Sequence, residues 1–383
     1  MAQEVLRHKE QTAMNIKVIT RHAPTNYGSL LQSIATQRVL ERLEHDCQII
    51  DYQREDERGL KMIETQVACK PEWARNPLKK LAYIVMRYPT EIHAQKRFDC
   101  MRKEYLKMTA RCTTHKELAQ LEADVFMTGS DQVWGPTMCG VYDSAYFLSF
   151  VNDHTRKVAY AGSFGRSDFT AEILKEYKHW LERYDAIAVR ENSAVETLDK
   201  MGLSCRGQVL DPTLLLTAEE WGREMKVDAL PLPIKGKYVL VYQIHSDKNL
   251  NDYAIRFARH TGLPLYRVSA YMHHASRGGK FVYCPDVRKF LALVKNCTYF
   301  VTDSFHGTAF ALNFNKDFIE ILPNNKTGSR NQSILQLTGL TDRIVTDYRD
   351  YSITEKEIDY TTVNHILEEE RTKSTLLLKE MLQ

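Results

Sequence analysis

Short apolar runs alternate with helical patterns along the first half of the chain. Residues 16–20 and 47–52 are predicted as strands, and residues 29–43 between them place apolar side chains at the spacing of an amphipathic helix. Three more short apolar runs predict strands at 124–127, 157–160 and 186–189. This β-α-β order favours a parallel sheet of the doubly wound type.

A second alternating series follows the proline-rich step at residues 231–233. It predicts strands and helices in turn, at 238–242, 249–260, 265–268, 286–296, 299–301 and 318–321. Proline-rich punctuation favours a domain boundary. We therefore predict an α/β fold with two domains, 14–230 and 231–383, the first carrying a helical insertion at about 53–115. A cleft would lie between the carboxyl ends of the strands of the two domains. A charged helix at 361–382 could pack back on the first domain.

Composition narrows the class of protein. The chain is 43% hydrophobic and 26% charged, as in ordinary soluble globular proteins, and a net charge of +3 is too small to argue for a nucleic-acid partner. Eight scattered cysteines without a C-x-x-C pair argue against a zinc site and a disulfide scaffold. Residues 1–13 lack the apolar core of a signal peptide, and no run approaches a membrane span. We expect a cytoplasmic protein without a metal site.

The segment densest in chemistry is Asp303-Ser304-Phe305-His306-Gly307, between a predicted strand and a predicted helix. Amide groups at a helix N-terminus attract anions, and histidine moves protons near neutral pH. A histidine beside glycine at a strand end is also commonly a loop or capping residue. The nearby Asp303 favours a catalytic role for His306, because its carboxylate could orient or charge the imidazole. We interpret His306 and Asp303 as candidate catalytic residues, with Ser304 and Gly307 binding substrate.

The first strand is also followed by a polar, glycine-bearing turn, Asn26-Tyr27-Gly28-Ser29. Glycine lets the backbone approach a ligand, and the helix N-terminus could hold a phosphate or carboxylate. The alternative is a simple helix start capped by Asn26 or Ser29.

Polar loops close two further strands of the first domain. Ser130 and Asp131 follow the strand at 124–127, and Ser163 precedes Gly165 after the next strand. Turns use glycine in any case. Such loops at successive strand ends nevertheless suggest one continuous ligand surface.

Two arginines could clamp an anion at these loops. Arg190 ends a predicted strand, where its guanidinium could fork onto a carboxylate or phosphate or form a salt bridge with Glu191. Arg330 lies in a polar loop before a helix and could be a second clamp or a surface arginine. His22 and His245 also follow strands and could line the same cleft.

The stretch 73–108 is rich in basic residues, and Lys79 and Lys80 interleave there with Leu78 and Leu81. Such a helix could lie on an anionic membrane surface. A helix solvated on one face would give the same pattern.

Seven blocks in the same order resemble the polysaccharide pyruvyl transferase family, over almost the whole chain. The blocks are Asn26-Tyr27-Gly28, Thr128-Gly129-Ser130-Asp131-Gln132-Val133-Trp134, Tyr160-Ala161-Gly162-Ser163-Phe164-Gly165, Val189-Arg190-Glu191, Leu210-Asp211-Pro212-Thr213-Leu214-Leu215, Asp303-Ser304-Phe305-His306-Gly307, and Ser329-Arg330 with Gly339-Leu340-Thr341-Asp342-Arg343. The resemblance implies two Rossmann-like domains in a GT-B-like arrangement with an inter-domain cleft.

The resemblance also implies an activity. It is the transfer of a pyruvyl group from phosphoenolpyruvate to a hexose, with formation of a cyclic ketal and release of phosphate. The acceptor would be a galactose-type sugar of a capsule, exopolysaccharide or undecaprenyl-linked precursor, at the inner face of the membrane. Arg190, His306 and Arg330 would belong to the donor site, and no cofactor is expected.

Two other classes of function stay open on the sequence. A GT-B glycosyltransferase would use the same cleft for a nucleotide-sugar donor, and Glu320 could then bind the ribose. A non-catalytic sugar-binding or assembly protein is the third class.

Overall fold

The computed structural model describes residues 13–137, 140–166, 168–232, 234–323 and 328–383. Residues 1–12 of the polar N-terminal stretch therefore lie outside the described residues. So do Pro233 of the predicted boundary and residues 324–327 of the loop before Arg330.

Within the described ranges, five parallel strands form a first sheet in the order β2-β1-β3-β4-β5. The strands are β1 Asn15–Ile19, β2 Asp46–Ile49, β3 Val125–Thr128, β4 Arg156–Gly162 and β5 Ala186–Val189. Val18 of β1 pairs with Ile49 on one side and Met127 on the other. All four residues of β3 and of β5 are buried, which explains their uninterrupted apolar runs.

A second parallel sheet has the order β10-β9-β6-β7-β8. Its strands are β6 Val239–Tyr242, β7 Leu265–Ser269, β8 Lys280–Tyr283, β9 Tyr299–Thr302 and β10 Asp317–Glu320. The sequence pattern did not predict β8. This edge strand is only partly buried, so it lacks the continuous apolar run that marks its neighbours.

Helices connect the strands and cover both sheets. They are α1 Tyr27–Arg42, α2 Gly59–Ala68, α3 Pro71–Ala74, α4 Pro77–Tyr105, α5 His115–Leu118, α6 Ala171–Leu181, α7 Asn192–Lys200, α8 Pro212–Leu215, α9 Ala218–Met225, α10 Lys248–Thr261, α11 Val287–Asn296, α12 Phe305–Asn313, α13 Ser329–Leu337 and α14 Tyr360–Leu382. The long insertion between β2 and β3 consists mainly of α2, α3 and α4. The terminal helix α14 returns to the first half, where Ser374 accepts a hydrogen bond from the backbone of Leu210 at 3.0 Å.

Each sheet has one point where the strand order reverses. In the first sheet it lies between β1 and β3, and in the second between β6 and β9. Ligands of doubly wound folds bind in the crevice outside the carboxyl ends of strands at such a point. The first point carries Asn26–Ser29 and Ser130–Asp131, and the second carries Asp303–His306. The topology therefore brings these predicted segments to the two reversal points.

The two halves pack directly against each other. Tyr27 of the first half stacks on Phe290 of the second with ring centroids 4.5 Å apart and an interplanar angle of 1°. Its hydroxyl donates a hydrogen bond to the carbonyl of Pro285 at 2.7 Å. One hydrophobic core, which includes both rings, therefore continues from one sheet to the other.

Candidate active site

Arg190 and Asp211 form a buried ion pair at the centre of the site. Nη1 of Arg190 donates to Oδ2 of Asp211 at 2.8 Å, and each residue is no more than 3% exposed. Burial alone would lower the pKa of Arg190, but the carboxylates of Asp211 and Glu191 raise it above its ordinary value. The guanidinium lies over the ring of Phe305, 4.2 Å from its centroid. Both charges are therefore held in place in a low-dielectric setting.

Asp211 is fixed by more than its arginine. It caps α8, where its Oδ1 accepts hydrogen bonds from the backbone and hydroxyl of Thr213 at 2.9 and 2.7 Å. Ser130 donates to its Oδ2 at 2.7 Å. Burial would raise the pKa of Asp211, but the neighbouring His306, Arg190 and Thr213 hold it well below its usual range. Asp211 is therefore a permanent carboxylate.

His306 reaches this carboxylate from the other half of the molecule. Its Nε2 lies 3.6 Å from Oδ2 of Asp211, a distance that suits an ion pair but is too long for a hydrogen bond. The histidine is in the first turn of α12 and is 6% exposed. The space beside its ring is taken by Gly28, where an added Cβ would lie only 2.3 Å from Nδ1. The imidazole therefore lies between the first turn of α1 and the Asp211 carboxylate.

Asp131 is a second buried carboxylate beside these groups. The hydroxyl of Ser29 donates to Oδ2 of Asp131 at 2.8 Å. The backbone of Asp131 has a positive φ of 78°. Burial would raise the pKa of Asp131, but His306, Arg190 and Arg330 are among the groups that lower it. All three predicted donor-site residues therefore favour the ionised form of Asp131.

Arg330 is buried at the start of α13, with 6% of its surface exposed. Burial, reinforced by the neighbouring Arg190, lowers the pKa of Arg330 to about 10. The side chain of Gln132 lies against it; with the amide oxygen turned toward the guanidinium, it accepts from Nη1 at 2.8 Å and from Nη2. Arg330 is therefore a buried member of the site rather than a surface arginine.

Glu191 and Ser163 complete the wall contributed by the first half. Ser163 donates to Oε1 of Glu191 at 2.6 Å, and Oε2 of Glu191 lies 3.6 Å from Nε of Arg190. Burial raises the pKa of Glu191. The salt bridge that the sequence allowed between Arg190 and Glu191 is present, but Arg190 pairs more closely with Asp211.

Several polar atoms in this cluster have no hydrogen-bond partner in the described part of the chain. They are Nε and Nη2 of Arg190, Nε of Arg330, Nε2 of His306 and Oε2 of Glu191. Three of the five are obligate donors, and the imidazole nitrogen can be a donor. Buried polar groups normally have partners, so this group of orphaned atoms is a candidate ligand site. The excess of donors suits an anion.

Asp303 does not orient His306, so that part of the prediction is wrong. Its Oδ1 accepts from the backbone N–H of Ile244 at 2.7 Å, and its Oδ2 from that of His245 at 2.9 Å and from the His245 ring at 3.2 Å. Both oxygens thus fix the loop after β6. Asp211, about a hundred residues earlier in the chain, is the carboxylate beside His306.

The turn Asn26–Ser29 divides into structural and site-facing residues. Asn26 caps α1 and accepts from the N–H of Ser29 at 3.2 Å. The Tyr27 side chain, which was predicted to bind substrate, is instead used in packing between the halves. Gly28 and Ser29 face the site, because Gly28 contacts His306 and Ser29 donates a hydrogen bond to Asp131.

Ser304 and Gly307 shape the turn that carries His306. Ser304 caps α12 and accepts from the N–H of Gly307 at 3.3 Å. An added Cβ at Gly307 would lie 2.3 Å from the hydroxyl of Thr302, so glycine lets α12 start close to β9. These contacts explain both residues as structural parts of the site.

Three other residues that the sequence offered as ligand contacts already have partners within the protein. His22 is buried and lies 3.1 Å from Oδ1 of Asp51. His245, as described, is paired with Asp303. Glu320 is fully buried and accepts from Thr308 at 2.5 Å and from Asn331 at 2.7 Å. Glu320 is therefore not placed to bind a ribose.

Sequence reasoning missed two members of the site. Asp211 lies in one of the blocks that carry the family resemblance, and its Asp-Pro-Thr sequence is typical of a capped helix start. Phe305 is marked in the sequence only by its position next to His306. The close pairing of these residues with Arg190 depends on tertiary contacts that local spacing does not reveal.

Two parallel sheets facing across a shared site define the fold as that of GT-B enzymes. The UDP-GlcNAc 2-epimerase of Methanocaldococcus jannaschii, solved with UDP-GlcNAc and UDP, superimposes with a TM-score of 0.51 at 13% identity, covering 96% of this chain and 98% of that one. Arabidopsis thaliana UGT89C1 gives a TM-score of 0.50 at 8% identity, covering 97% and 100%. These similarities establish the fold alone.

The family follows from the sequence. A sequence model of the polysaccharide pyruvyl transferase family matches residues 26–325, and the chain belongs to this family. No curated protein sequence matches the chain. Membership confirms the resemblance and makes the protein a transferase of polysaccharide biosynthesis with a sugar or polysaccharide acceptor. Among the described residues, no helix combines the length and the apolar character needed to cross a membrane.

Proposed function

We propose that the protein transfers a pyruvyl group from phosphoenolpyruvate to a galactose-type hexose of a polysaccharide or lipid-linked oligosaccharide precursor. The carrying observation is the group of orphaned polar atoms on Arg190, His306 and Arg330, which are buried beyond the carboxyl ends of strands from both sheets. Phosphoenolpyruvate offers a carboxylate and a phosphate to such donors. Two arginines that fork onto planar or tetrahedral oxyanions are well suited to it.

The reaction requires proton movement and departure of phosphate. The enol methylene gains a proton and becomes a methyl group, and a sugar hydroxyl attacks the adjacent carbon and loses its proton. Phosphate then leaves with its bonding electron pair, and a second hydroxyl closes the ketal as its proton is released. Of the two hydroxyl protons, one balances the new methyl C–H bond and the other leaves with phosphate or solvent.

The site's own residues match these steps. We assign His306 to proton transfer, because its Nε2 is orphaned and faces the permanent carboxylate of Asp211, which stabilises an imidazolium. Arg190 and Arg330 would hold the donor and stabilise the departing phosphate. Asp303 supports the site only indirectly, through the loop after β6.

The closed geometry implies a conformational step. Arg190, His306 and Arg330 are each no more than 6% exposed, so their orphaned atoms are closed to solvent. We therefore infer that the halves part to admit the substrates and close for the reaction, which excludes water.

Donor binding tests the proposal. We expect phosphoenolpyruvate to raise the melting temperature of the protein in a concentration-dependent way, and UDP-sugars at equal concentration to have no such effect. The variant Arg330→Lys should reduce the shift. Stabilisation by a UDP-sugar and none by phosphoenolpyruvate would instead support the glycosyltransferase alternative, which the shared GT-B fold keeps open.

A further inference from the structure

The N-terminal half of α4 exposes a continuous apolar surface. Five large apolar side chains form this surface, here called the apolar face of α4. They are Leu78 (78% exposed), Leu81 (59%), Val85 (63%), Met86 (61%) and Tyr88 (44%). At 100° per residue they occupy one arc of about 160° around the helix. Single exposed apolar residues are ordinary, but a contiguous patch marks an interaction surface.

Positive charge accompanies this face. Lys79 and Lys80 are exposed in the same turns, and residues 77–90 contain no aspartate or glutamate. The next acidic residue, Glu91, is 3% exposed and paired with Arg87 at 3.0 Å. Within residues 77–90, the surface therefore presents apolar side chains beside lysines and no carboxylate.

This chemistry selects among possible occupants. A second copy of the chain meeting this face about a two-fold axis would bring its own lysines toward Lys79 and Lys80 without an opposite charge. Interfaces between proteins are also depleted in lysine at their cores. An anionic lipid surface satisfies both features, because acyl chains take the apolar residues and headgroups take the ammonium groups.

The other half of α4 is fastened to the body of the protein. Arg97 donates to the carbonyl of Cys284 in the second half at 2.8 Å, and Arg102 donates to the carbonyl of His22 in the first half at 3.3 Å. Phe98 packs on Tyr27 with ring centroids 5.1 Å apart. Tyr27 precedes Gly28, which contacts His306. The exposed face therefore extends from a helix anchored beside the candidate active site.

We propose that the apolar face of α4, with Lys79 and Lys80, docks the protein peripherally on an anionic lipid bilayer. The helix lies in the interface and does not span the bilayer. This inference does not depend on the reaction catalysed at the site. A protein docked in this way would meet acceptors carried on lipid.

Vesicle co-sedimentation tests the docking. The full chain is mixed with vesicles of pure phosphatidylcholine or with about 30% phosphatidylglycerol added. We expect binding to the anionic vesicles, weakened when salt rises from about 0.1 M to about 0.5 M. The double variants Leu81→Gln/Val85→Gln and Lys79→Gln/Lys80→Gln should each bind at least about tenfold more weakly.

Matched controls separate this face from general surface effects. Leu376 of α14 is 57% exposed, so Leu376→Gln tests loss of an exposed leucine elsewhere, and Lys175→Gln/Lys178→Gln on α6 tests loss of charge. Both should bind like the wild type, and all variants should melt alike. Absence of wild-type binding, or equal binding by all variants, would overturn the proposal. So would a lipid-free dimer that Leu81→Gln/Val85→Gln converts to monomer, because the face would then join two copies.

Discussion

The imidazole of His306 and the backbone of Gly28 touch across the two halves of the protein. A Cβ at position 28 would lie 2.3 Å from Nδ1 and 2.8 Å from Cβ of His306. Glycine is needed at this position for close approach rather than for an unusual backbone conformation.

The variant Gly28→Ala should therefore displace His306 without removing any reactive group. We expect turnover to fall by about 10²-fold, the effect of a misplacement near 1 Å. The control Gly222→Ala adds the same methyl group in α9, where the nearest atom is 3.5 Å away, and should leave turnover unchanged. Equal activity of both variants would show that the contact does not position the histidine.

Removal of the imidazole tests its chemical role. His306→Ala should lower kcat by about 10²–10⁴-fold if the ring moves a proton in the reaction. His179→Ala, at a side chain that is 66% exposed, should have no effect. Near-normal kcat in His306→Ala, measured by phosphate release, would exclude proton transfer by this residue.

Arg330 should act mainly on the donor. Arg330→Lys keeps a positive charge but loses the planar fork, so KM for phosphoenolpyruvate should rise by about 10–100-fold, since hydrogen bonds to charged groups contribute ~1.5–3 kcal/mol. Arg288→Lys changes a half-exposed arginine of α11 in the same way and should not alter KM. An unchanged KM in Arg330→Lys would remove this residue from the donor site.

Asp211 and Arg190 stabilise each other as well as the site. Arg190→Gln leaves the buried Asp211 carboxylate without its closest cation, and the loss of one partner of a buried pair costs about 3–5 kcal/mol. We expect a matching loss in the free energy of unfolding in urea. A loss below about 1 kcal/mol would show that the pair is not closed in solution.

Glu320 gives the fold a pH dependence that is separate from catalysis. Burial raises the pKa of its carboxyl from an ordinary 4.5 to about 8. The folded state therefore binds this proton more tightly than the unfolded state, so stability contributed by this residue is full below pH 4.5 and is lost as pH rises to about 8.

In Glu320→Gln the neutral side-chain amide should still form hydrogen bonds with its neighbours. This part of the pH dependence should be lost, because the amide does not titrate. We expect the variant to gain stability relative to the wild type between pH 5 and pH 8, on the order of a few kcal/mol, in urea unfolding at each pH. An identical pH dependence in the two proteins would show that Glu320 stays ionised in the fold.

The sequence predicted the parallel sheets and the strand-end loops well because buried parallel strands are apolar throughout. The edge strand β8 was not predicted, because it is only partly buried and lacks a continuous apolar run. The partner of His306 was misassigned for a different reason. Asp303 is three residues away in sequence, but its carboxylate binds the amides of another strand's loop, while Asp211 comes from the first half through the packing of α8 and α12. Proximity in sequence was therefore a poor guide to which carboxylate lies beside the histidine.

Tyr27 shows the same limit. Its place in a polar, glycine-bearing turn predicted a ligand contact, yet its ring stacks on Phe290 and joins the two halves. Arg190 and Arg330 both lie in the buried cluster, although the local sequence left a salt bridge or a surface position open for them. Their binding of the donor stays a prediction.

The most direct test is the product of the reaction itself. The protein is incubated with phosphoenolpyruvate and a galactose-terminated lipid acceptor, phosphate is measured, and the acceptor is analysed by mass spectrometry. We predict one phosphate released for each acceptor that gains one pyruvyl ketal, with His306→Ala strongly impaired in both. Glycosylation of the acceptor from a nucleotide sugar, with no pyruvyl product from phosphoenolpyruvate, would contradict the account.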